Sequence, residues 1–289
     1  HKYHNIYSDT AAYFITWSLD ASNGKRISKF KENNTNGLPA ETYHLDEKLI
    51  LETNRYSLGR HYPLGQASAE NFISEFDHGE GWTGPLIRKG QSRDFVITGL
   101  LNRNLGAGVL PKLELVLIGG NNLQHRADIY VGQSTASLRN AATATFQFHD
   151  SEMVSLDLQW SDISVAGELT VRVNVPGVTA SPDFVSVSYV KLVYPENLNQ
   201  NNQTSKYYSL KENAGNKSYI LMSNVPDNLR IFDITNKNTV VQIEFNKVGS
   251  TLNAIVPSTS AGKRLFVTNE IVTDFTVERT HFRNINPAS

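Results

Sequence analysis

The sequence predicts an all-β protein: a jelly-roll-like antiparallel β-sandwich followed by a smaller β-sandwich domain, with little helix. Only 19% of the 289 residues are charged, and Asn, Ser and Thr are abundant, a composition that suits short strands joined by polar turns. Between residues 93 and 195, apolar and polar side chains alternate in one segment after another, which is the period of strands with one buried face.

The length and one polar segment predict two units. A chain of 289 residues is about right for two hydrophobic cores. Residues 195–206, PENLNQNNQTSK, offer almost nothing to bury, as in a linker. We therefore expect an N-terminal hairpin and the large sandwich in 1–195, a linker in 196–206 and the smaller sandwich in 207–289.

The N-terminal quarter contains weaker signals. Residues 11–17, AAYFITW, form an aromatic and β-branched run, and the Asn23-Gly24 pair after it is typical of a tight hairpin turn. Residues 41–58 are ambiguous, because their leucines fit either a helical stripe or extended chain. We interpret that segment as strand.

One segment is the better helix candidate, if the protein has a helix at all. Residues 67–76, ASAENFISEF, contain a Ser that could cap a helix at position 68. Phe72, Ile73 and Phe76 would then share one face. The segment predicts at most one short helix.

The strongest strand signals follow, with turn residues between them. In the last strand of this series we place Val185, Val187 and Tyr189 on one face. The linker is followed by a second series at strand spacing. The first series is DFVITGL, KLELVLIGG, RADIYVGQ, TATFQFHD, MVSLDLQW, GELTVRVNV and DFVSVSYVKLVYP; the second is YYSLKE, KSYILMSN, LRIFDIT, TVVQIEFNKV, TLNAIVPS, KRLFVTN and FTVERTHF.

Composition excludes several classes of function. The formal charge is −1 and the basic residues are scattered, so we expect no nucleic-acid partner. The chain has no cysteine, which removes disulfides, thiolate metal sites and cysteine nucleophiles. No apolar run approaches the roughly 20 residues of a membrane span. The missing initiator Met predicts an excised or mature segment. The Asn-rich, Cys-free composition fits an exported bacterial protein, although a cytosolic protein could share both features.

The segment FDHGEGWTGPLI, residues 76–87, contains the densest group of candidate site residues: Asp77, His78, Glu80 and Trp82. Such side chains could ligate a metal or act as acid and base, but no further His or carboxylate stands at ligand spacing. We therefore predict no metal or cofactor. Its glycines and proline favour a turn that leads into the sandwich, with Trp82 as its anchor. A ligand or partner loop and a catalytic site are the alternatives.

Three further features each have a functional and a purely structural interpretation. The pair His149-Asp150 suggests a triad, but no Gly-x-Ser-x-Gly segment supplies a nucleophile, so we interpret it as a strand end. Trp160 and Tyr189 could stack on a sugar, although alternation places them in the core at least as readily. The GGNN segment at 119–122 indicates a tight loop without a phosphate-binding pattern.

Three segments together resemble a known family. The start IYSDTAAYFITWSL with GKRI, the segment RIFDIT at 230–235 and the end VERTHFRNINPAS are similar to the N-terminal region of the type IX secretion system sortase. That family consists of gingipain-related cysteine peptidases of Bacteroidetes. Phe232 stands where the family has Trp in a Trp-Asp-Val-Thr strand. The family's Gly-Arg-x-Trp-Tyr/Phe-Gly-Glu pattern is reduced to Trp82 and Gly84.

The resemblance implies a non-catalytic region. In that family the nucleophilic Cys and its His lie in a downstream caspase-like domain, so no catalytic residue transfers to this chain. The implied partners are that peptidase domain and secretion-system subunits or exported cargo, at the outer-membrane surface of a Gram-negative bacterium. Two alternatives stay open: a carbohydrate-binding β-sandwich module with Trp82 or Trp160 exposed, and a hydrolase that uses Asp77 or Glu80.

Overall fold

The computed structural model describes residues 26–57, 81–176 and 182–273, single positions at 19, 20, 24 and 276, and the backbone of 60–61 and 72–73. The protein is all-β, as predicted, and its strands are mainly antiparallel. Within the described ranges, no helix has the length and apolar character needed to cross a bilayer.

The strands form two sandwiches and a set of short pairs. The large sandwich contains β2 (His44–Leu51), β7 (Ile87–Arg88), β8 (Gln91–Ile97), β9 (Lys112–Gly119), β10 (Gln124–Gly132), β11 (Leu138–Gln147), β12 (Ser151–Asp157), β13 (Leu169–Val175) and β14 (Phe184–Glu196). The second sandwich contains β1 (Ser28–Phe30), β15 (Ser205–Leu210), β16 (Lys217–Met222), β17 (Arg230–Asp233), β18 (Val241–Ile243), β19 (Asn246–Val248), β20 (Thr251–Pro257) and β21 (Lys263–Thr268). Short pairs are formed by β3 (Arg55–Tyr56), β4 (Arg60–His61), β5 (Phe72–Ile73) and β6 (Trp82–Thr83), and 3-10 turns lie at Trp160–Asp162 and Thr259–Ala261.

The large sandwich has the strand order of a jelly roll. Its two sheets run β2-β14-β9-β12 and β8-β13-β10-β11. Counted along the chain from β2 and omitting the short strands, the orders are 1-8-3-6 and 2-7-4-5, as in two interlocked Greek keys. The predicted strands of the first series all exist. Their inner faces meet in one core that includes Phe95, Leu115, Ile129, Val171 and Leu192.

A β-bulge in β14 changes which side chains share a face. The register against β9 shifts between Val187 and Tyr189. Val185 and Val187 therefore face the inter-sheet core, whereas Tyr189 packs on the opposite face with Val116. The prediction that these three residues share one face is wrong at Tyr189, because a bulge inserts one residue and inverts the alternation. Tyr189 is nevertheless buried, so it is no exposed sugar platform.

The second sandwich continues a sheet of the first. Strands β1-β18-β17-β21-β15 join β2 through the pairing of Ser209 with Leu45, which makes one ten-stranded sheet with β7 as a side strand. The sheet β16-β20-β19 covers it, and a separate core lies between them around Tyr208, Ile231 and Leu252. The two cores are therefore distinct, although their backbone hydrogen bonding is continuous.

Two features differ from the predicted division of the chain. The linker was expected to bury little, but Leu198 and Gln200 are buried. Leu198 packs in the core of the second sandwich, and the side-chain amide oxygen of Gln200 accepts a hydrogen bond from Tyr208 Oη at 2.8 Å. Residues 28–30, predicted in the first unit, pair in parallel with Val241–Ile243 of the second. The domain boundaries themselves stay a prediction.

The N-terminal predictions have mixed outcomes. Segment 41–58 contains β2 and β3, which confirms the strand interpretation. The helix prediction for 67–76 is wrong at Phe72 and Ile73, which pair as a strand with Arg60–His61, because cross-strand pairing outweighs local helix preference. The rest of that segment and the predicted strand at 11–17 lie outside the described residues.

Candidate functional site

Of the four candidate residues Asp77, His78, Glu80 and Trp82, the structure describes Trp82. It starts β6, which pairs with β3, and its ring meets that of Tyr56 edge to face at 5.3 Å. Ser188 Oγ donates to the Trp82 carbonyl at 2.7 Å, so β14 holds this short strand. Trp82 thus anchors the segment as predicted. Asp77, His78 and Glu80 lie outside the described residues, and a ligand or partner role for them stays a prediction.

Gly84 lies against an ion pair. Arg93 Nη2 donates to Glu52 Oε1 at 2.6 Å, and Glu52 is buried. A Cβ at position 84 would collide with Arg93 Nη1 and lie 2.6 Å from Glu52 Oε2. Any side chain at position 84 would therefore press on the ends of both paired side chains.

The structure brings together residues of three segments considered in the sequence analysis: FDHGEGWTGPLI, GGNN and the pair His149-Asp150. Their residues surround a cavity of about 60 Å³. A cavity needs roughly 10–15 Å³ per water molecule, whereas small-molecule sites usually span about 300–1,000 Å³. Among the described residues the cavity therefore admits water rather than a substrate. Its lining consists of Arg55, Tyr56, Ser57, Thr83, Leu86, Ile118, Gly119, Gly120, His149 and Ser186.

The pair His149-Asp150 closes a turn. It lies between β11 and β12, and His149 Nδ1 is 3.1 Å from the Gly119 carbonyl. The backbone carbonyl of Asp150 accepts from the Gly119 N–H at 3.1 Å. Phe148, directly before the pair, has a φ of 57°, which lets the chain reverse there. These contacts support the strand-end interpretation over a catalytic one.

Below this turn lies a buried pair that sequence reasoning missed. His125 Nδ1 is 2.7 Å from Asp183 Oδ1, and Arg126 N–H donates to Asp183 Oδ2 at 3.2 Å. His125 Nε2 is 2.8 Å from the Phe148 carbonyl. Each ring nitrogen of His125 therefore has an oxygen atom within hydrogen-bonding distance. The pair ties together β10, the start of β14 and the turn between β11 and β12. The two residues are 58 positions apart, so no local pattern connects them.

Among the described residues, no group of three His, Asp or Glu side chains is arranged to hold a metal ion. Trp160 packs against the core of the large sandwich, as the core interpretation predicted. Its 3-10 turn is held by Arg139, which donates to Asp162 through Nε at 2.7 Å and Nη2 at 2.6 Å. Neither observation supports a catalytic centre.

The RIFDIT segment forms a turn at the end of β17 that side-chain hydrogen bonds stabilise. Asp233 Oδ1 accepts from Thr235 N at 3.0 Å and from Thr235 Oγ1 at 2.5 Å, and Oδ2 accepts from Lys263 Nζ at 2.9 Å. Burial opposes ionisation of Asp233, but the Thr235 and Lys263 hydrogen bonds outweigh it and lower the pKa of the carboxyl. Thr235 Oγ1 also accepts from Arg264 N–H at 2.9 Å. The Asp-x-Thr spacing therefore fastens β17 to β21.

A buried polar seam joins the two sandwiches. Lys206 Nζ on β15 donates to Glu196 Oε1 at the end of β14 at 2.8 Å, and His44 Nε2 lies 3.3 Å from Glu196 Oε2. The His44 ring is 4.4 Å from that of Tyr208. Burial, and then the nearby carboxylates of Glu196 and Asp46, raise the pKa of Tyr208 far above its usual range. The seam thus contains the ion pair of Lys206 and Glu196, with the neutral phenol of Tyr208 close by.

Comparison with known proteins shows the fold. No protein-family model matches the sequence, and no curated protein matches it. The structure is similar to that of dimeric latent PorU from Porphyromonas gingivalis, with a TM-score of 0.58 and 13% identity over 84% of this chain. The chain spans 22% of that protein. Most of the chain therefore has the fold of a part of PorU.

Carbohydrate-binding modules are more distant. The module CBM36 in complex with calcium and xylotriose aligns with a TM-score of 0.29 and 11% identity, over 50% of this chain and 98% of that one. The CBM36-1 domain of a xylanase from the hindgut metagenome of Trinervitermes trinervoides also scores 0.29, at 12% identity, over 51% of this chain and 96% of that one. Scores this low give no basis for transferring a site.

Proposed function

We propose that this chain is a non-catalytic accessory region of a surface cysteine peptidase of the type IX secretion sortase kind. In this role it positions the peptidase and contacts exported cargo or secretion subunits at the outer-membrane surface of a Gram-negative bacterium. The absence of cysteine from all 289 residues requires the nucleophile of such a peptidase to lie elsewhere. The shared fold with part of PorU supports the assignment of this region.

The observation that carries the proposal is the continuous sheet between the two sandwiches. A sheet passes from one to the other through β2 and β15, and Glu196 at their seam is only 2% exposed. Lys206 also donates to the Asn199 carbonyl at 3.2 Å, so the connecting segment is held too. A connection made of paired strands and buried polar contacts restricts the relative motion of two domains more than a flexible linker does. Such a connection suits a positioning role.

The first test is the gene sequence downstream of the codon for Ser289. We expect the reading frame to continue into a caspase-like domain with a His and a Cys nucleophile. A stop codon near Ser289 would remove the main support for the assignment.

A second test separates positioning from catalysis. In the full-length protein, Lys206→Ala should loosen the seam and reduce processing of exported cargo in cells, while cleavage of a short soluble peptide by the same variant stays unchanged. Lys237→Ala is the control, because Lys237 is exposed. Normal cargo processing by a Lys206→Ala protein with a lowered unfolding temperature would contradict the positioning role.

The two alternatives have less support. A carbohydrate-binding module with an exposed Trp82 or Trp160 does not fit, since Trp160 packs against the core and Trp82 is half-buried against Tyr56. For a hydrolase, Asp77→Asn or Glu80→Gln should abolish turnover of a chromogenic glycoside by this chain. We expect no turnover in the unmodified chain, and measurable turnover would contradict the accessory role.

A further inference from the structure

The outer face of the four-stranded sheet carries a polar groove. Side chains alternate along β10 and β13, so Ile129 and Val173 enter the core while Tyr130 and Arg172 point outward. The groove has a volume of about 410 Å³, within the range of about 300–1,000 Å³ that small-molecule sites occupy. Its lining consists of Ser92, Tyr130, Thr135, Ala136, Leu138, Arg172 and Asn174.

Strand register places the groove residues in rows across the sheet. Tyr130 stands opposite Arg172, and Arg172 stands opposite Asp94. Arg172 donates to Asp94 through Nε at 2.6 Å and through Nη2 at 2.8 Å, a fork geometry that fixes the guanidinium plane. In the next row, Asn174 stands opposite Ser92. The guanidinium at the centre of the groove floor is therefore held in place before any ligand arrives.

The floor offers hydrogen-bonding groups that the protein itself does not use. The structure shows no hydrogen bond from the side chains of Tyr130, Asn174, Ser92 or Thr135 to any described residue. The fork to Asp94 uses two of the five N–H groups of Arg172. Donors and acceptors thus stand side by side next to one aromatic ring and Leu138. Sugar hydroxyls both donate and accept, and the C–H face of a pyranose packs on an aromatic ring.

The charges select an uncharged ligand. Arg172 is neutralised by Asp94, and the hydrogen bond from Arg172 lowers the pKa of Asp94, so the pair stays ionised at neutral pH. Beside it, Arg126 Nε donates to Asp128 at 3.1 Å. Sites for phosphate or sulfate use cationic groups to offset the negative charge, and here each cation is already paired. A neutral ligand rich in hydroxyl groups fits this balance.

We propose that this groove binds an uncharged oligosaccharide, with a sugar ring against Tyr130 and its hydroxyls on Arg172, Asn174 and Ser92. The groove lies on an open sheet face, so the interior of a polysaccharide can enter it. This proposal does not depend on the sortase assignment, because it concerns the sheet surface alone.

The test is native gel electrophoresis of this chain in gels that contain soluble xylan, mannan or mixed-linkage β-glucan. We expect at least one of them to retard the protein. Tyr130→Ala should weaken that binding about tenfold or more, and Tyr130→Phe should keep most of it, because the ring provides the larger contact. Asn174→Ala should give an intermediate loss.

The control is Tyr207→Ala, which removes an aromatic side chain that is 51% exposed on the second sandwich. It should migrate like the unmodified chain, and circular dichroism should show all variants folded. No retardation by any of the three neutral polysaccharides would overturn the proposal. So would equal retardation of Tyr130→Ala and Tyr207→Ala, or binding confined to heparin and polygalacturonate and abolished by salt.

Discussion

His125 and Asp183 form a buried pair at one end of the large sandwich, with Nδ1 and Oδ1 2.7 Å apart and side chains 0% and 2% exposed. The second ring nitrogen of His125 faces the Phe148 carbonyl at 2.8 Å. Each partner therefore depends on the other, because loss of either side chain would leave a buried polar group of its partner without a hydrogen bond.

Removing this carboxylate should destabilise the fold strongly. Asp183→Asn is expected to lower the free energy of unfolding by about 1–3 kcal/mol, the usual cost of leaving a buried polar group without its hydrogen-bond partner. Urea unfolding followed by fluorescence measures the change. The matched control is Asp94→Asn, which breaks a half-exposed pair on the same sandwich and should cost less than about 1 kcal/mol. Similar losses in both variants would show that the buried contact between His125 and Asp183 contributes no more than a surface pair.

The close approach of β9 to the turn after β11 should make Gly119 irreplaceable. A Cβ at Gly119 would collide with the Phe148 carbonyl and lie 2.7 Å from His125 Nε2. Gly119→Ala should therefore cost about 1–3 kcal/mol of unfolding free energy, because a backbone carbonyl must move. In Gly106→Ala the nearest atom would be Asn104 Oδ1, at 3.7 Å, and thermal unfolding should hardly change. A stable Gly119→Ala protein would indicate that this turn moves freely.

Acid should weaken the second sandwich through Asp233. Its pKa is lower in the folded chain than the ordinary value of 3.8, so ionised Asp233 stabilises the fold above that pH. The contribution is lost as pH falls below 3.8 and through the folded value. Unfolding temperatures measured from pH 6 to pH 2 should thus fall less steeply for Asp233→Asn than for the unmodified chain.

The control for this pH profile is Asp227→Asn. The hydrogen bond from Lys247 lowers the pKa of Asp227 as well, but this side chain lies at the surface, where salt screens the pair. At 0.5 M NaCl its profile should match that of the unmodified chain. Identical profiles for all three proteins would refute the role of Asp233.

The seam should tolerate loss of both charges better than loss of one. Lys206→Met leaves Glu196 buried without its cation and should cost about 3–5 kcal/mol, whereas adding Glu196→Gln to Lys206→Met should recover much of this loss. Chemical denaturation of the single and double variants provides a double-mutant cycle. Additive losses would mean that the two residues do not interact across the seam.

Strand positions were readable from the sequence because alternation is local. Segments such as KLELVLIGG and GELTVRVNV contain their own period of two, and both form strands as predicted. Trp82 was also readable as an anchor, since glycines and a proline surround one large aromatic side chain. Local preference failed at Phe72 and Ile73, where pairing with another segment decides the conformation.

The sequence by itself determined that this chain is all-β, that it lacks a cysteine nucleophile and where most of its strands run. The tertiary structure decided which strands are neighbours, and with that the His125–Asp183 pair, the shared sheet and the groove at Tyr130. It also decided the face of Tyr189, because a bulge depends on the partner strand. The physical reason is range: alternation acts over a few residues, whereas pairing and burial join positions that are distant in sequence.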